Sequence, residues 1–175
     1  MNGFPAPLLV SAVEGIPAGR ALDLACGAGR HAIYLAQRGW TVTALDSSGE
    51  AIGQLRERAG QASGIDARVA DLEAGEFSIA SDAWELICDF LYLQRSLFPQ
   101  IRGGIRPDSL FVATICMMDA APAVKPMNPA YLLEPGELRG EFAGWDILHY
   151  AEPKRRDDRR RMAELVARRP REPVP

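Results

Sequence analysis

The chain holds 175 residues, 47% of them hydrophobic and 25% charged, with a net charge of −3. That length supports one domain with a real core, the composition is that of a soluble globular protein, and no apolar run approaches the roughly 20 residues needed to span a bilayer. Three cysteines (Cys26, Cys88, Cys116) without paired spacing and two histidines (His31, His149) argue against a disulfide framework or a metal centre, so a single cytoplasmic domain over residues 1–175 with no membrane partner is expected.

Charge is unevenly spread. Lys154 to Arg171 carries 9 basic and 3 acidic residues, whereas the remainder carries 11 basic and 20 acidic. An acidic body argues against a nucleic-acid surface. The run Lys154-Arg-Arg-Asp-Asp-Arg-Arg-Arg161 has interleaved aspartates and no aromatic residues for base stacking, so it reads as a solvated hairpin tip.

Short apolar runs alternate with amphipathic stretches, the pattern of an α/β domain with a mostly parallel sheet and helices on both faces. Ala6 to Gly15 can supply one short helix. Arg20 to Ala25 reads as the first strand and Arg30 to Arg38 as a helix stopped by Gly39. Thr41 to Leu45 is a second strand, and Ser47-Ser-Gly-Glu50 fits a capping box for a helix over about Ser48 to Arg58. Ala67 to Ala70, Glu85 to Phe90 and Leu110 to Ile115 give strands three to five. Asp119 to Asn128 reads as a loop and Pro135 to Phe142 as a short helix. Trp145 to Tyr150 and Met162 to Ala167 close the chain as an antiparallel hairpin, because their link is too short for a crossover helix.

Between the first strand and its helix, Gly27-Ala-Gly-Arg-His-Ala32 satisfies G-x-G-x-x-[GA]. Glycine lets the backbone turn sharply beside a ligand, and free amides at the helix start attract anionic groups. Asp46 follows Gly27 by 19 residues, at the end of the second strand, where a carboxylate can take both ribose hydroxyls. Asp23, inside the first strand, would repel a pyrophosphate and would complement a cation. That favours a sulfonium donor over a nicotinamide dinucleotide. Asp71, after the third strand, can accept from an adenine amino group.

Ala21-Leu-Asp-Leu-Ala-Cys-Gly-Ala-Gly-Arg-His31 resembles motif I of the class I S-adenosylmethionine-dependent methyltransferases. Gly29-Arg-His-Ala-Ile-Tyr-Leu-Ala36, Gly39 to Ser48, Tyr92-Leu-Gln-Arg95, Tyr131 to Leu138 and Leu165 to Pro170 resemble the small bacterial branch that includes tellurite-resistance-type enzymes. The resemblance covers nearly the whole chain. It implies a Rossmann-like methyltransferase fold and S-adenosylmethionine as methyl donor, without a metal. It implies donor contacts from Asp23, Ala25, Cys26, Gly27, Gly29, Arg30, Asp46, Ser47, Asp71, Leu72, Asp89 and Phe90. Two departures stand out. Ala25 replaces the usual first glycine, and Arg106-Pro-Asp-Ser109 replaces a Pro-Gly-Gly turn, where Asp can adopt the left-handed conformation.

Methyl transfer is an in-line displacement with a neutral leaving thioether, so the protein's main task is positioning in a dry site. A small thiol, chalcogen or metalloid anion would need no base. His31, Tyr92 and Arg95 are the candidate catalytic groups near the acceptor; Tyr131 can close over it, and Met117, Met118 and Met127 border it. Each has a plainer reading as cap, core or solvated residue, and Cys26 reads as packing. Few residues precede the first strand, so the expected cover over the donor is thin and leaves room for a second subunit, as in a homodimer. A binding protein that keeps the donor pocket without turnover is the alternative reading.

Overall fold

The computed structural model describes residues 3–60, 63–118, 127–153 and 160–171. After a short N-terminal helix, α1 (Pro7–Ala12), the chain alternates β1 (Arg20–Leu24), α2 (Arg30–Ala36), β2 (Thr41–Asp46), α3 (Gly49–Ala59) and β3 (Ile65–Val69). It continues through β4 (Trp84–Phe90), α4 (Phe98–Gly104), β5 (Ile105–Cys116), α5 (Glu137–Glu141), β6 (Asp146–Ala151) and β7 (Met162–Arg168). The strands form one sheet in the order β3-β2-β1-β4-β5-β7-β6. The first five are parallel, and β7 runs antiparallel to both β5 and β6. The expected α/β architecture and closing hairpin are therefore present.

Alternation along each strand feeds two cores. Ala21, Val42, Leu86 and Val112 face α1, α2 and α3 with Leu9, Leu35, Ile52 and Leu55. Leu22, Leu24, Ile87 and Phe111 face the other way, toward Phe98, Ile101, Leu138 and Phe142. Phe142 stacks on Phe111 with centroids 4.6 Å apart and meets Trp145 edge-on at 5.2 Å, which anchors α5 and the hairpin to the sheet. Aromatic pairs of this kind add about 0.5–1.5 kcal/mol beyond their buried area, more than an exposed ion pair such as Arg68–Asp66 supplies.

Several boundaries differ from the sequence reading. The third strand lies at Ile65–Val69, so Asp71 sits two residues beyond its end. α2 stops at Ala36, and Gly39 completes the turn at φ +84. The cap of α3 is Ser48, one residue later than the capping-box pattern suggests, accepting from the Ala51 N–H at 3.2 Å. Helix α4 was not anticipated; Pro99 in its first turn and Gly103-Gly104 at its end leave little periodic signal. β5 begins five residues early, because Arg106-Pro-Asp-Ser109 forms a bulge. β5 advances from Ile105 to Leu110 while β4 advances only from Trp84 to Leu86. Asp108 takes the left-handed conformation there (φ +64), donates its N–H to the Arg169 carbonyl and meets Arg171 at 2.6 Å. The loop at Asp119 to Asn128 and the basic tip at Lys154 to Arg161 fall largely outside the described residues.

The close approach of α3 to the glycine loop generates a prediction. A Cβ on Gly29 (φ +73) would lie 2.1 Å from Leu55 Cδ1, whereas one on Gly27 (φ +55) meets nothing within 4 Å. Gly29→Ala is expected to lose about 2–4 kcal/mol in denaturant unfolding, from overlap plus backbone strain. Gly27→Ala should lose only about 1 kcal/mol, from the backbone alone. Equal losses would mean that Leu55 yields freely.

Candidate functional site

β1 and β4 are neighbours from which the chain departs in opposite directions, and ligands in open α/β sheets bind at the C-terminal ends of such strands. At the end of β1 the backbone turns a sharp corner through three left-handed residues, Ala25 (φ +49), Gly27 (φ +55) and Gly29 (φ +73). Ala25 holds this conformation with a Cβ, at a cost of about 1–2 kcal/mol that glycine would avoid. Bonds from β2 hold the corner. The Cys26 N–H donates to the Leu45 carbonyl at 2.8 Å, and the Gly27 N–H donates to Asp46 Oδ2 at 2.8 Å. Asp46 Oδ1 accepts from the Ser48 N–H at 2.9 Å. Each carboxylate oxygen therefore spends one lone pair on the backbone and keeps another for a ligand hydroxyl.

A cavity opens on either side of the corner. One, about 260 Å³, is bordered by Asp46, Ser47, Asp71, Leu72 and Glu73. The other, about 290 Å³, is bordered by Cys26, Gly27, Arg30, His31, Phe90 and Leu91. Ala25 and Tyr92 belong to both. Most of the expected donor residues are thus brought together. Asp23, Gly29, Asp89 and Arg95 line neither cavity. Gly29 packs on Leu55 instead. Asp89, expected among the donor contacts, lies within β4, inside the stretch Glu85 to Phe90 read as the fourth strand, and is 2% exposed. Glu73, Leu91 and Arg58 were missed. Leu91 carries an unusual φ of +71, and Arg58 reaches from α3 to donate to the Ala28 carbonyl at 2.6 Å. Neither arrangement leaves a local pattern in the sequence.

The electrostatics separate the candidate groups. Asp23 is 1% exposed, and neither carboxyl oxygen has a hydrogen-bond partner. Burial pushes its pKa up to about 7, partly offset by the Ala32 amide and the Arg30 charge, with Asp46 adding to the rise. Burial holds the Asp89 carboxyl far above its ordinary range too, opposed by the Tyr92 amide. His31 packs on Phe90 with centroids 4.1 Å apart, and its Nε2 has no partner. Burial, then Arg30, lowers its pKa to about 3, so the ring is neutral and weakly basic. Burial, then Asp23 and Asp46, raises the Cys26 thiol, which is no thiolate near neutrality. The Tyr92 hydroxyl donates to Gln94 Oε1 at 2.6 Å and is pushed up to about 12, chiefly by burial. Gln94 in turn donates to the Leu72 carbonyl, which ties the wall shared by the two cavities to the end of the adjacent loop.

Arg95 is committed elsewhere. It grips Glu137 with two bonds of 2.6 and 2.9 Å and donates to the carbonyls of Ala130 and Leu132. It thereby fixes the segment that follows β5. Tyr131 is exposed on that segment, Met118 and Met127 are exposed near it, and Met117 is fully buried core. Among the described residues no group of three His, Cys, Asp or Glu is placed to hold a metal ion, and no helix is long and apolar enough to cross a membrane.

The family model described as "Tellurite resistance protein TehB" matches residues 7–160. The chain belongs to the TehB family. Among curated relatives, "Hemagglutinin 1" of Eikenella corrodens is 27% identical over 81% of this chain and 48% of its own length. The "Probable S-adenosyl-L-methionine-dependent methyltransferase TehB" of Haemophilus influenzae is 26% identical over 82% of this chain and 52% of its own. The crystal structure of TehB from Haemophilus influenzae superposes with a TM-score of 0.76 at 23% identity, over 92% of this chain and 61% of that one. The fold is thus the class I methyltransferase fold expected from the sequence, and the chain spans about half the length of the curated TehB relatives it matches.

The buried acid beneath the corner gives a prediction about stability. The folded Asp23 carboxyl holds its proton to about pH 7, against 3.8 for an unperturbed aspartate, so the folded state binds more protons in between. Stability then falls as pH rises through that window, by about 1.4 kcal/mol per unit, and levels off above it. Asp23→Asn removes this loss. The stability of the variant relative to the parent should rise by a few kcal/mol from pH 4 to pH 8 in denaturant unfolding. A pH-independent difference would mean that Asp23 is not buried as described.

Proposed function

We propose that the protein transfers a methyl group from S-adenosylmethionine to a small nucleophilic acceptor. The observation that carries this reading is the Asp46 carboxylate, fixed by the Gly27 and Ser48 amides at the left-handed corner and facing the cavity that Asp71 also borders. The residues fit the donor. Asp46 would hold the ribose hydroxyls, and Asp71, whose Oδ1 already accepts from the Glu73 and Ala74 amides, would meet the adenine amino group. Arg30 forms no ion pair among the described residues and can take the donor carboxylate. The unpartnered Asp23 carboxyl beneath the corner complements the ammonium and sulfonium charges. When bound, S-adenosylmethionine supplies a methyl group on sulfur with a neutral thioether as leaving group.

The chain's own residues hold, orient and exclude water. Phe90, Leu91 and the neutral His31 ring make an apolar wall beside the corner, which keeps water from the transferring methyl group. Beside the apolar wall, neither the His31 ring, held near 3, nor the Tyr92 hydroxyl, pushed up to about 12, serves as a base near neutral pH. Proximity and desolvation are then the source of rate, and effective molarity from alignment alone supplies about 7–11 kcal/mol in favourable cases. An acceptor that arrives as a thiolate, chalcogen or metalloid anion would need no base from these two cavities.

Calorimetric titration with S-adenosylmethionine and S-adenosylhomocysteine, with NAD as control, tests the donor. Binding of the sulfur pair alone is expected, and Asp46→Ala should weaken it by about 1–3 kcal/mol through lost charge-assisted bonds. Because the donor's cation favours ionised Asp23, affinity should fall as pH drops below about 7, approaching tenfold per unit, and should plateau above. Unchanged affinity in a folded Asp46→Ala protein would move the ribose site elsewhere. Donor binding without transfer to any acceptor in a broad panel would favour the non-catalytic reading.

A further inference from the structure

A third cavity, of about 450 Å³, lies on the α1 side of the sheet. It adjoins the donor cavity, because Arg30, Phe90 and Leu91 border both. Ala6, Pro7 and Leu8 of the N-terminal segment border it as well. Across the end of the sheet it meets Thr114 of β5, which stands in register with Phe90 on β4 and with Glu164 on β7. Its polar end is a His–Glu pair. His149 on β6 and Glu164 on β7 meet at 3.0 Å, Nε2 to Oε2, and both border the cavity. At roughly 40% exposure such a pair adds little to stability, so the fold does not require it.

We propose that this cavity is the acceptor site, and that His149, held by Glu164, takes the proton of a neutral acceptor with an apolar body, a thiol or a hydroxyl. The proposal rests on the donor reading above. The carboxylate fixes the imidazole tautomer: Nε2–H donates to Glu164, and Nδ1 keeps the lone pair. The apolar border suits a hydrophobic acceptor, and, with Arg30 taken by the donor carboxylate, the Glu164 charge at the polar end disfavours an anionic one. In the step, the acceptor's S–H or O–H proton passes to Nδ1 while its electron pair forms the bond to the methyl carbon. The carbon–sulfur bond of the donor breaks, its pair staying on a now neutral sulfur. The imidazolium, paired with Glu164, then returns its proton to water. Positioned bases of this kind contribute about 10²–10⁴-fold.

Two aromatic thiols make the test. Benzyl mercaptan is largely protonated at neutral pH, whereas 4-nitrothiophenol is ionised there. Donor binding is measured first, so failure of the donor reading shows as absent S-adenosylhomocysteine binding in the parent protein. With donor binding in hand, His149→Gln should depress methylation of benzyl mercaptan about a hundredfold more than that of 4-nitrothiophenol, and Glu164→Gln should do so to a smaller degree. Independently of turnover, benzyl mercaptan added to the S-adenosylhomocysteine complex should shift one imidazole Cε1–H resonance. The chain has only two histidines, so His149→Gln assigns that signal. Unfolding midpoints check that both variants fold. Equal losses on the two thiols would reduce His149 to a wall residue. An unmoved His149 resonance, or no transfer to benzyl mercaptan by the parent protein, would overturn the acceptor site.

Discussion

Everything at the site depends on one hydrogen-bonded joint, the Gly27 amide on the Asp46 carboxylate. It ties the loop leaving β1 to the end of β2 and compels the backbone to turn through Ala25, Gly27 and Gly29 in left-handed conformations. From that corner α2 starts at Arg30, which places Arg30 and His31 at the border of one cavity, while Asp46 borders the other. The same carboxylate is thus both a structural brace and the proposed ribose ligand. A donor hydroxyl would bind to a group that the fold has already oriented, so little ordering cost remains at binding.

Beneath the joint lies a contradiction in terms of stability alone, a fully buried carboxyl that no well-formed hydrogen bond satisfies and that only the Ala32 amide and the Arg30 charge ease. Such a group is destabilising once it ionises. It is understandable where a cation is to sit nearby. The energy withheld from folding is returned when the charge arrives, a trade between stability and function that active sites commonly show.

The fold was legible because its signals are local and repeated. β-branched and aliphatic runs mark β2 and β5, and the glycine loop between β1 and α2 has both a strand before it and a helix after it. Motif spacing puts Gly27 and Asp46 at one corner, and Asp71 is placed by the strand it follows; all three border the two cavities. What escaped was built by long-range contacts. Arg95 looks like an acceptor ligand in sequence, yet Glu137, 42 residues away, claims it. Asp89 looks like a donor contact, yet its side chain is buried within β4 and borders neither cavity. The Arg106-Pro-Asp-Ser109 turn was read correctly in conformation, since Asp108 does adopt positive φ, but not in extent, because Ile105 pairs with Trp84 on β4 and Asp108 and Ser109 exchange backbone bonds with Arg169. His149 and Glu164 lie on separate strands, and only hairpin register brings them together.

The order of the sheet has a consequence for how the protein comes off the ribosome. β7, the last strand among the described residues, lies inside the sheet between β5 and β6. Until residue 168 has emerged, β5 presents an unpaired edge carrying Phe111, Val112, Ala113 and Ile115, all buried in the finished fold. Such an edge is a template for pairing with other chains. Vectorial synthesis therefore leaves the nascent protein sticky until β7 slots home, and a chain cut short before β7 would keep that edge open.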